Sequence, residues 1–205
     1  MIPAEDALQR LIDGNGRFVR GELNSPGQLD QARRAELVAD QKPFAIILGC
    51  SDSRVPAEIV FDQGLGDLFV IRVAGNVVAP SQVGSVEFAA EWFDTRLVVV
   101  LGHTCCGAVA ATLDAITGQN VHPSDNLRSI VDRVRPAVAP LLYTELAKDP
   151  AALAEHAVRA NIRASVSHLR HGSQVLERLI MDGKLMVVGA EYSLATGEVD
   201  FFDLP

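Results

Sequence analysis

The sequence predicts an α/β protein built on a mostly parallel central sheet with helices on both faces. Four short runs rich in apolar residues have the length and composition of strands covered on both faces: 44–48, 68–73, 97–101 and 185–190. Helical patterns separate these runs, and strands that alternate with helices form parallel sheets through right-handed crossovers. We therefore expect four parallel strands and, after the turn signal Thr196-Gly197, a possible fifth strand at an edge over residues 199–202. The whole chain, residues 1–205, is expected to form one domain.

The helices follow in order from apolar spacing and from end signals. Residues 4–20 carry apolar side chains such as Leu8 and Leu11 at helical spacing between charged residues, which predicts an amphipathic helix. Pro56 suits the first turn of a short helix that runs to about residue 62. Further helical patterns cover residues 85–93, 107–117 and 124–178, the last with predicted breaks near Pro136, Pro140, Asp149-Pro150 and His171-Gly172.

Composition argues against several classes of protein. The net charge of −8 is the opposite of the dense basic footprint that a nucleic-acid surface requires. No run approaches the ~20 apolar residues of a membrane span, and residues 1–20 lack the basic start and apolar core of a signal peptide. Three cysteines do not make a disulfide framework, and reduced thiols fit a cytoplasmic location.

Two clusters of chemically active residues follow the first and third predicted strands. Cys50-Ser51-Asp52-Ser53-Arg54 comes after the first, and His103-Thr104-Cys105-Cys106-Gly107 comes after the third. An open α/β sheet binds its ligands at the carboxyl ends of its strands. Two thiolates and an imidazole are zinc ligands by type and leave a fourth position for water or a carboxylate. The sequence therefore predicts a catalytic metal site.

The spacing assigns roles within the two clusters. His103 and Cys106 are three residues apart across a strand-to-helix turn, so both can face the point that Cys50 reaches from the neighbouring strand. Asp52 is then either the fourth ligand or a base beside the metal, and Arg54 decides between these roles because its planar fork can hold a carboxylate with two hydrogen bonds. For Cys105, the role of a small buried hydrophobic residue is the more common one.

At these residues the chain closely resembles the β-class carbonic anhydrases. The segments that carry the resemblance are Gly49-Cys50-Ser51-Asp52-Ser53-Arg54-Val55, Phe69-Val70-Ile71-Arg72 with Gly75-Asn76, Gly84-Ser85-Val86-Glu87-Phe88, and Gly102-His103 with Cys106-Gly107. The likeness extends to Leu11-Ile12-Asp13-Gly14-Asn15 near the N-terminus and Val188-Gly189-Ala190 near the C-terminus, so that it spans nearly the whole chain.

The resemblance implies a function and a site. Zinc-bound hydroxide would hydrate carbon dioxide reversibly to bicarbonate and a proton, with one zinc per subunit. The implied metal ligands are Cys50, His103 and Cys106, and the implied catalytic dyad is Asp52 with Arg54, where Asp52 binds the metal only in a closed state. The residues that correspond to the family's substrate pocket are Gln41, Phe69, Phe88 and the backbone N–H of Gly107.

The resemblance also implies an assembly and a branch of the family. The chain would form a homodimer or homotetramer in which the N-terminal helix packs on the partner, without nucleic acid or membrane as partners. One branch closes its site with the aspartate on zinc and binds bicarbonate beside a Trp, at a position that Ile47 occupies here. The chain is thus more similar to the plant-type branch, whose zinc is usually open, and Gln41 and Phe69 agree with that placement.

Three alternatives remain open on sequence alone. A hydrolase of carbonyl sulfide or carbon disulfide would use the same fold on a linear substrate with the same electrophilic carbon. A zinc-stabilised interaction protein without turnover would need neither Asp52 nor Arg54, so their presence argues against it. A nucleotide-binding α/β protein is weakened because Gly64-Leu65-Gly66 and Gly75-Asn76 match no phosphate-binding fingerprint.

Overall fold

The carboxyl ends of parallel strands define one edge of the molecule. The computed structural model describes residues 2–24, 31–119 and 124–204, and within them the strands are β1 Ala45–Gly49, β2 Leu68–Arg72, β3 Leu97–His103, β4 Met186–Tyr192 and β5 Val199–Asp203. They form a sheet in the order β2-β1-β3-β4-β5, in which β1 to β4 are parallel and β5 is antiparallel to β4. The predicted fold class is confirmed, including the fifth strand at the edge.

Helices cover both faces of the sheet. Their bounds are α1 Ala4–Arg20, α2 Gln31–Glu36, α3 Ala57–Val60, α4 Pro80–Trp92, α5 Gly107–Thr117, α6 Asp125–Val138, α7 Pro150–His171 and α8 Gln174–Met181. Short 3₁₀ turns cover Ala74–Asn76, Ala139–Tyr143 and Glu145–Lys148. Among the described residues, no helix combines the length and the apolar composition that a membrane crossing requires.

Alternation along the strands divides the core into two layers. Ile46 and Leu48 of β1 face one layer, which they share with buried side chains of α4, α6, α7 and α8. Ala45 and Ile47 face the other layer, which includes Ala7 and Leu11 of α1. All five residues of β1 and all seven of β3 are buried, as expected for strands covered on both faces.

Several boundaries differ from the sequence-based expectation. Helix α4 begins at Pro80 rather than at residue 85, because a proline fits the first helical position, where no N–H is needed. Strand β3 continues past Leu101 to His103, since Gly102 and His103 pair with β4. The predicted break near Pro136 is wrong. That residue lies within the last turn of α6, where the missing N–H removes one backbone hydrogen bond without ending the helix.

Helix α1 packs on its own chain in this structure. It buries Ala7, Leu11, Gly14 and Asn15, while Ile12 remains partly exposed. A Cβ at Gly14 would lie only 1.9 Å from the carbonyl oxygen of Phe61, so glycine permits the close approach of α1 to the end of α3. Packing of this helix on a partner subunit stays a prediction.

Asn15 joins three separate parts of the chain. Its side-chain amide donates to the carbonyls of Val60 and Gly197, and its oxygen accepts from the N–H of Val199. Because Asn15 is buried, loss of its amide would leave these backbone groups without partners.

Asn15→Ala should therefore lower the free energy of unfolding by about 2–4 kcal/mol. Chemical denaturation at fixed protein concentration measures this. Gln9→Ala is the matched control, because Gln9 lies on the same helix and donates only to the exposed Asp13. Its effect should stay within about 0.5 kcal/mol, and an equal loss in both variants would contradict the assigned role of Asn15.

Candidate metal centre

Three side chains of the two sequence clusters meet at the carboxyl edge of the sheet. Cys50 directly follows β1, His103 ends β3, and Cys106 directly precedes α5. The two strands are parallel neighbours, so their ends lie side by side. The sulfur and nitrogen donors of the three residues lie within 4.8 Å of one another, and all three residues are buried.

A tight turn after β3 lets His103 and Cys106 share this point. Cys105 adopts a positive φ of 56°, in the left-handed region that few residues other than glycine occupy. Its side chain is exposed. The expectation of a buried Cys105 is therefore wrong, because the turn directs this side chain away from the core while its neighbour Cys106 points inward.

The hydrogen bonds of His103 leave one ring nitrogen for a metal. Nδ1 lies 2.9 Å from the carbonyl oxygen of Thr104, which fixes Nδ1 as the donor. Nε2 is then the lone-pair nitrogen, and it is buried without a hydrogen-bond partner in the part of the chain that the structure describes. A buried acceptor of this kind is costly unless something pairs with it.

The two thiols behave as a coupled pair. A hydrogen bond with Cys106 lowers the pKa of the Cys50 thiol, and the same contact raises the pKa of Cys106. Burial disfavours a charged His103, but the neighbouring Cys50 sulfur raises the pKa of His103 overall. The cluster thus favours positive charge at its centre. A cation with a preference for sulfur and nitrogen, such as zinc, fits this donor set.

Asp52 and Arg54 form an ion pair next to this cluster. Arg54 donates from Nε to Oδ1 at 2.9 Å, from Nη2 to Oδ2 at 2.7 Å, and from its backbone N–H to Oδ1 at 3.0 Å. The Arg54 side chain therefore holds the pKa of Asp52 well below its usual range. Oδ2 also lies 3.8 Å from Nε2 of His103, so the carboxylate faces the metal ligands while Arg54 holds it.

Arg72 fixes the loop that carries these residues. Its Nε donates to the carbonyl oxygen of Cys50 at 3.0 Å, and its Nη2 donates to that of Asp52 at 2.5 Å. From the sequence, Arg72 belonged to one of the segments that resemble the β-class carbonic anhydrases, and no role was predicted for it. The available signal was a charged residue at the carboxyl end of a predicted strand, which needs a polar partner.

The predicted substrate-pocket residues separate into two places. Gly107 is the first residue of α5, next to the candidate ligand Cys106. Phe69 instead pairs in register with Ile46, four residues before Cys50, and so lies about 13 Å along the strands from this nearest candidate metal ligand. Its ring contacts Phe88 and Phe93, and Phe88 stacks on Trp92.

Gln41 is exposed before β1 and lines a surface groove that includes Phe93, near this aromatic cluster. Within one chain, the structure does not bring Gln41, Phe69 and Phe88 to the metal ligands.

Comparison with known proteins places this arrangement in a family. Residues 45–199 match the family model described as carbonic anhydrase. A carbonic anhydrase of Mycolicibacterium smegmatis is 42% identical over 194 residues, which cover 95% of this chain and 91% of the relative. The solved β-carbonic anhydrase CcaA superposes with a TM-score of 0.73 at 26% identity and covers 98% of this chain and 93% of that one.

The chain belongs to the β-class carbonic anhydrases. It is therefore an enzyme of that family, and the predicted family is confirmed. Tetrameric β-carbonic anhydrases of Sordaria macrospora share its fold, with a TM-score of 0.75 at 20% identity and coverage of 96% of this chain and 97% of that one.

The residues that match the carbonic anhydrase family model include most of the candidate site residues but not all of them. Residues 45–199 include Cys50, His103 and Cys106 as well as the Asp52–Arg54 pair. They exclude Gln41 and α1, so the pocket role of Gln41 rests on the sequence resemblance alone.

The two adjacent cysteines provide a direct test of the metal ligands. Cys106→Ser removes a buried thiol of the cluster and should reduce bound metal from about one ion per chain to almost none. Cys105→Ser changes an exposed thiol and should keep the metal. Elemental analysis of the purified variants measures this, and equal metal loss from both would contradict the assignment of Cys106.

Proposed function

We propose that this carbonic anhydrase catalyses the reversible, zinc-dependent hydration of carbon dioxide to bicarbonate and a proton. The observation that carries the proposal is the Asp52–Arg54 pair beside the cluster of Cys50, His103 and Cys106. A structural metal site is usually closed by four protein ligands, whereas a catalytic site keeps one position for water or substrate. Three ligands with a restrained carboxylate nearby match the catalytic pattern.

The donor set supports zinc as the metal. Two thiolates balance the charge of a divalent ion, and Nε2 of His103, which has no hydrogen-bond partner among the described residues, supplies the neutral nitrogen. Zinc held by Cys50, His103 and Cys106 would act as a Lewis acid that lowers the pKa of water to about 7 and so makes a nucleophile available at neutral pH.

Asp52 would orient the attacking water through its Oδ2 atom. Because Arg54 lowers the pKa of Asp52, the carboxylate is ionised at neutral pH and can only accept hydrogen bonds. Two side-chain bonds from Arg54 fix where the accepting oxygen lies. In the overall reaction, an O–H bond of water breaks and a C–O bond forms, while one C=O π bond of carbon dioxide opens, its electron pair moves onto the oxygen, and the proton leaves to buffer.

The same geometry supports an open resting state. With Asp52 held by Arg54, its carboxylate does not complete the ligand set. Ile47 is a buried residue of β1 and provides no indole for a bicarbonate site like that of the closed branch. We therefore place this enzyme with the plant-type branch. The free, reduced thiols of its site favour a cytoplasmic location.

The substrate pocket would require a second copy of the chain. Phe69 and Phe88 lie towards the amino end of the strands, away from the metal ligands of their own chain, and Phe88 and Trp92 are exposed. An exposed aromatic cluster of this kind is typical of an interface between subunits. The tetrameric relatives from Sordaria macrospora support a homodimer or homotetramer, in which these aromatic residues line the partner's site.

Substitutions in the dyad test the mechanism. Asp52→Asn removes the anionic acceptor, and Arg54→Ala frees Asp52 to move. Both variants should keep zinc but lower the hydration rate by about 10²–10³-fold, the usual effect of removing one preorganised polar contact. Stopped-flow hydration assays measure the rate.

Asp94→Asn is the matched control for the dyad, because Asp94 accepts from Arg96 with the same spacing in sequence but far from the cluster. It should leave the rate unchanged. An Asp52→Asn enzyme with full zinc and a normal rate would refute the proposed role of the carboxylate.

A mixing experiment tests whether Phe88 acts on the partner subunit. Cys106→Ser destroys the metal site, and Phe88→Ala removes the aromatic side chain, so each variant alone should have low activity. When the two are unfolded and refolded together, half of the dimers are hybrids with one complete site, which should restore about a quarter of the parental rate.

Mixing Cys106→Ser with Trp92→Ala controls for nonspecific rescue. Trp92 is the more exposed neighbour on the same helix, so Trp92→Ala alone should keep more activity than Phe88→Ala. If the Phe88→Ala hybrid gains no activity although hybrid dimers form, then Phe88 does not act across the interface.

A further inference from the structure

The loop after β2 connects helix α7 to one of the candidate metal ligands. Residues 73–76 form a turn in which the N–H of Asn76 donates to the carbonyl oxygen of Val73. Gly75 and Asn76 both have positive φ, at 69° and 44°. In this conformation the backbone N–H of Gly75 points at Cys50 and lies 3.3 Å from its Sγ atom.

Helix α7 holds this turn through two buried polar side chains. Asn161 donates from Nδ2 to the carbonyl oxygen of Gly75 at 2.8 Å, and Ser165 donates from Oγ to that of Asn76 at 3.0 Å. They are 2% and 5% exposed and lie among apolar neighbours of α7 such as Ile162 and Val166. Polar groups at such positions are costly without partners, so each side chain anchors the residue of the turn that it bonds, Gly75 for Asn161 and Asn76 for Ser165.

The opposite side of the turn has no free space. A Cβ placed on Gly75 would lie 2.9 Å from Cβ of Ala108, in the first turn of α5. The turn therefore lies between α5 and α7, and the bond from Asn161 to the carbonyl oxygen of Gly75 holds the residue whose N–H faces the sulfur. Asn161 bonds Gly75, the residue that donates to Cys50, whereas Ser165 bonds the next residue of the turn.

We infer that Asn161 is a positioning residue for the metal centre, which acts through Gly75 on the sulfur of Cys50. This inference rests on the proposed metal site. Hydrogen bonds from outer residues orient a ligand and set how much charge it gives to the metal, and their loss commonly weakens metal binding 10–100-fold. Among the described residues, no hydrogen bond joins Asn161 to the side chains of the cluster, so its effect passes through the backbone of the turn.

The variant that tests this is Asn161→Leu, which has a similar shape but donates no hydrogen bond. In the cobalt-substituted enzyme, the sulfur-to-cobalt charge-transfer band should move to longer wavelength, because a thiolate that loses a hydrogen bond gives up its electrons more easily. Zinc affinity, measured by competition with a chromophoric chelator, should fall about tenfold.

Ser165→Ala is the matched control. It removes a buried hydrogen bond from the same helix to the next residue of the turn, but not the one to Gly75. It should leave the charge-transfer band in place and zinc affinity within about twofold of the parent. If Asn161→Leu behaves like the parent, or if both variants shift the band equally, the specific role of Asn161 is refuted.

A measurement on the parent protein does not depend on the folding of Asn161→Leu. With an NMR-active cadmium isotope bound, the amide proton of Gly75 should show scalar coupling to the metal through Sγ of Cys50. Absence of this coupling in a metal-loaded protein would overturn the inference. If instead the cobalt-loaded parent shows no sulfur charge-transfer band at all, the proposed metal site itself has failed.

Discussion

The parallel pairing of β1 with β3 is the constraint on which the rest of the site depends. Gly49 lies opposite Leu101, so the chain leaves β1 at Cys50 beside the last residues of β3, which end at His103. Apolar side chains on both faces hold this register, and a slip of one residue would turn every one of them to the opposite layer. The geometry of the candidate metal centre therefore depends on the packing of the hydrophobic core.

Polar side chains then hold the loops that the strands leave at this edge. The backbone of a loop that follows a buried strand loses its ladder partners, and unpaired buried carbonyls are costly. Arg72 binds the carbonyls of Cys50 and Asp52, while Asn161 and Ser165 bind those of Gly75 and Asn76. These bonds limit the backbone freedom of the loops, and those to Cys50, Asp52 and Gly75 do so at residues that carry or contact the candidate donor atoms.

The sequence predicted local and periodic features well and long-range partners poorly. Short apolar runs specify the strands, and the two clusters predicted which side chains converge, because parallel strands align their carboxyl ends. The distance of Phe69 from the metal ligands was not predicted, since it depends on the register of β2 against β1. The bond from Asn161 to Gly75 joins residues 86 positions apart, and an Asn inside a helix gives no local sign of its partner.

The Asp52–Arg54 pair contributes to the site by orienting the carboxylate and adds little to the stability of the fold. The Arg54 side chain is 55% exposed and that of Asp52 is 16% exposed, and ion pairs near solvent add only about 0–1 kcal/mol. The pair therefore contributes little to the free energy of unfolding. Its planar two-bond contact and the backbone N–H of Arg54 instead fix the direction in which Oδ2 points. A lysine would keep the charge but not this fork, so the placement of the acceptor depends on the shape of the guanidinium.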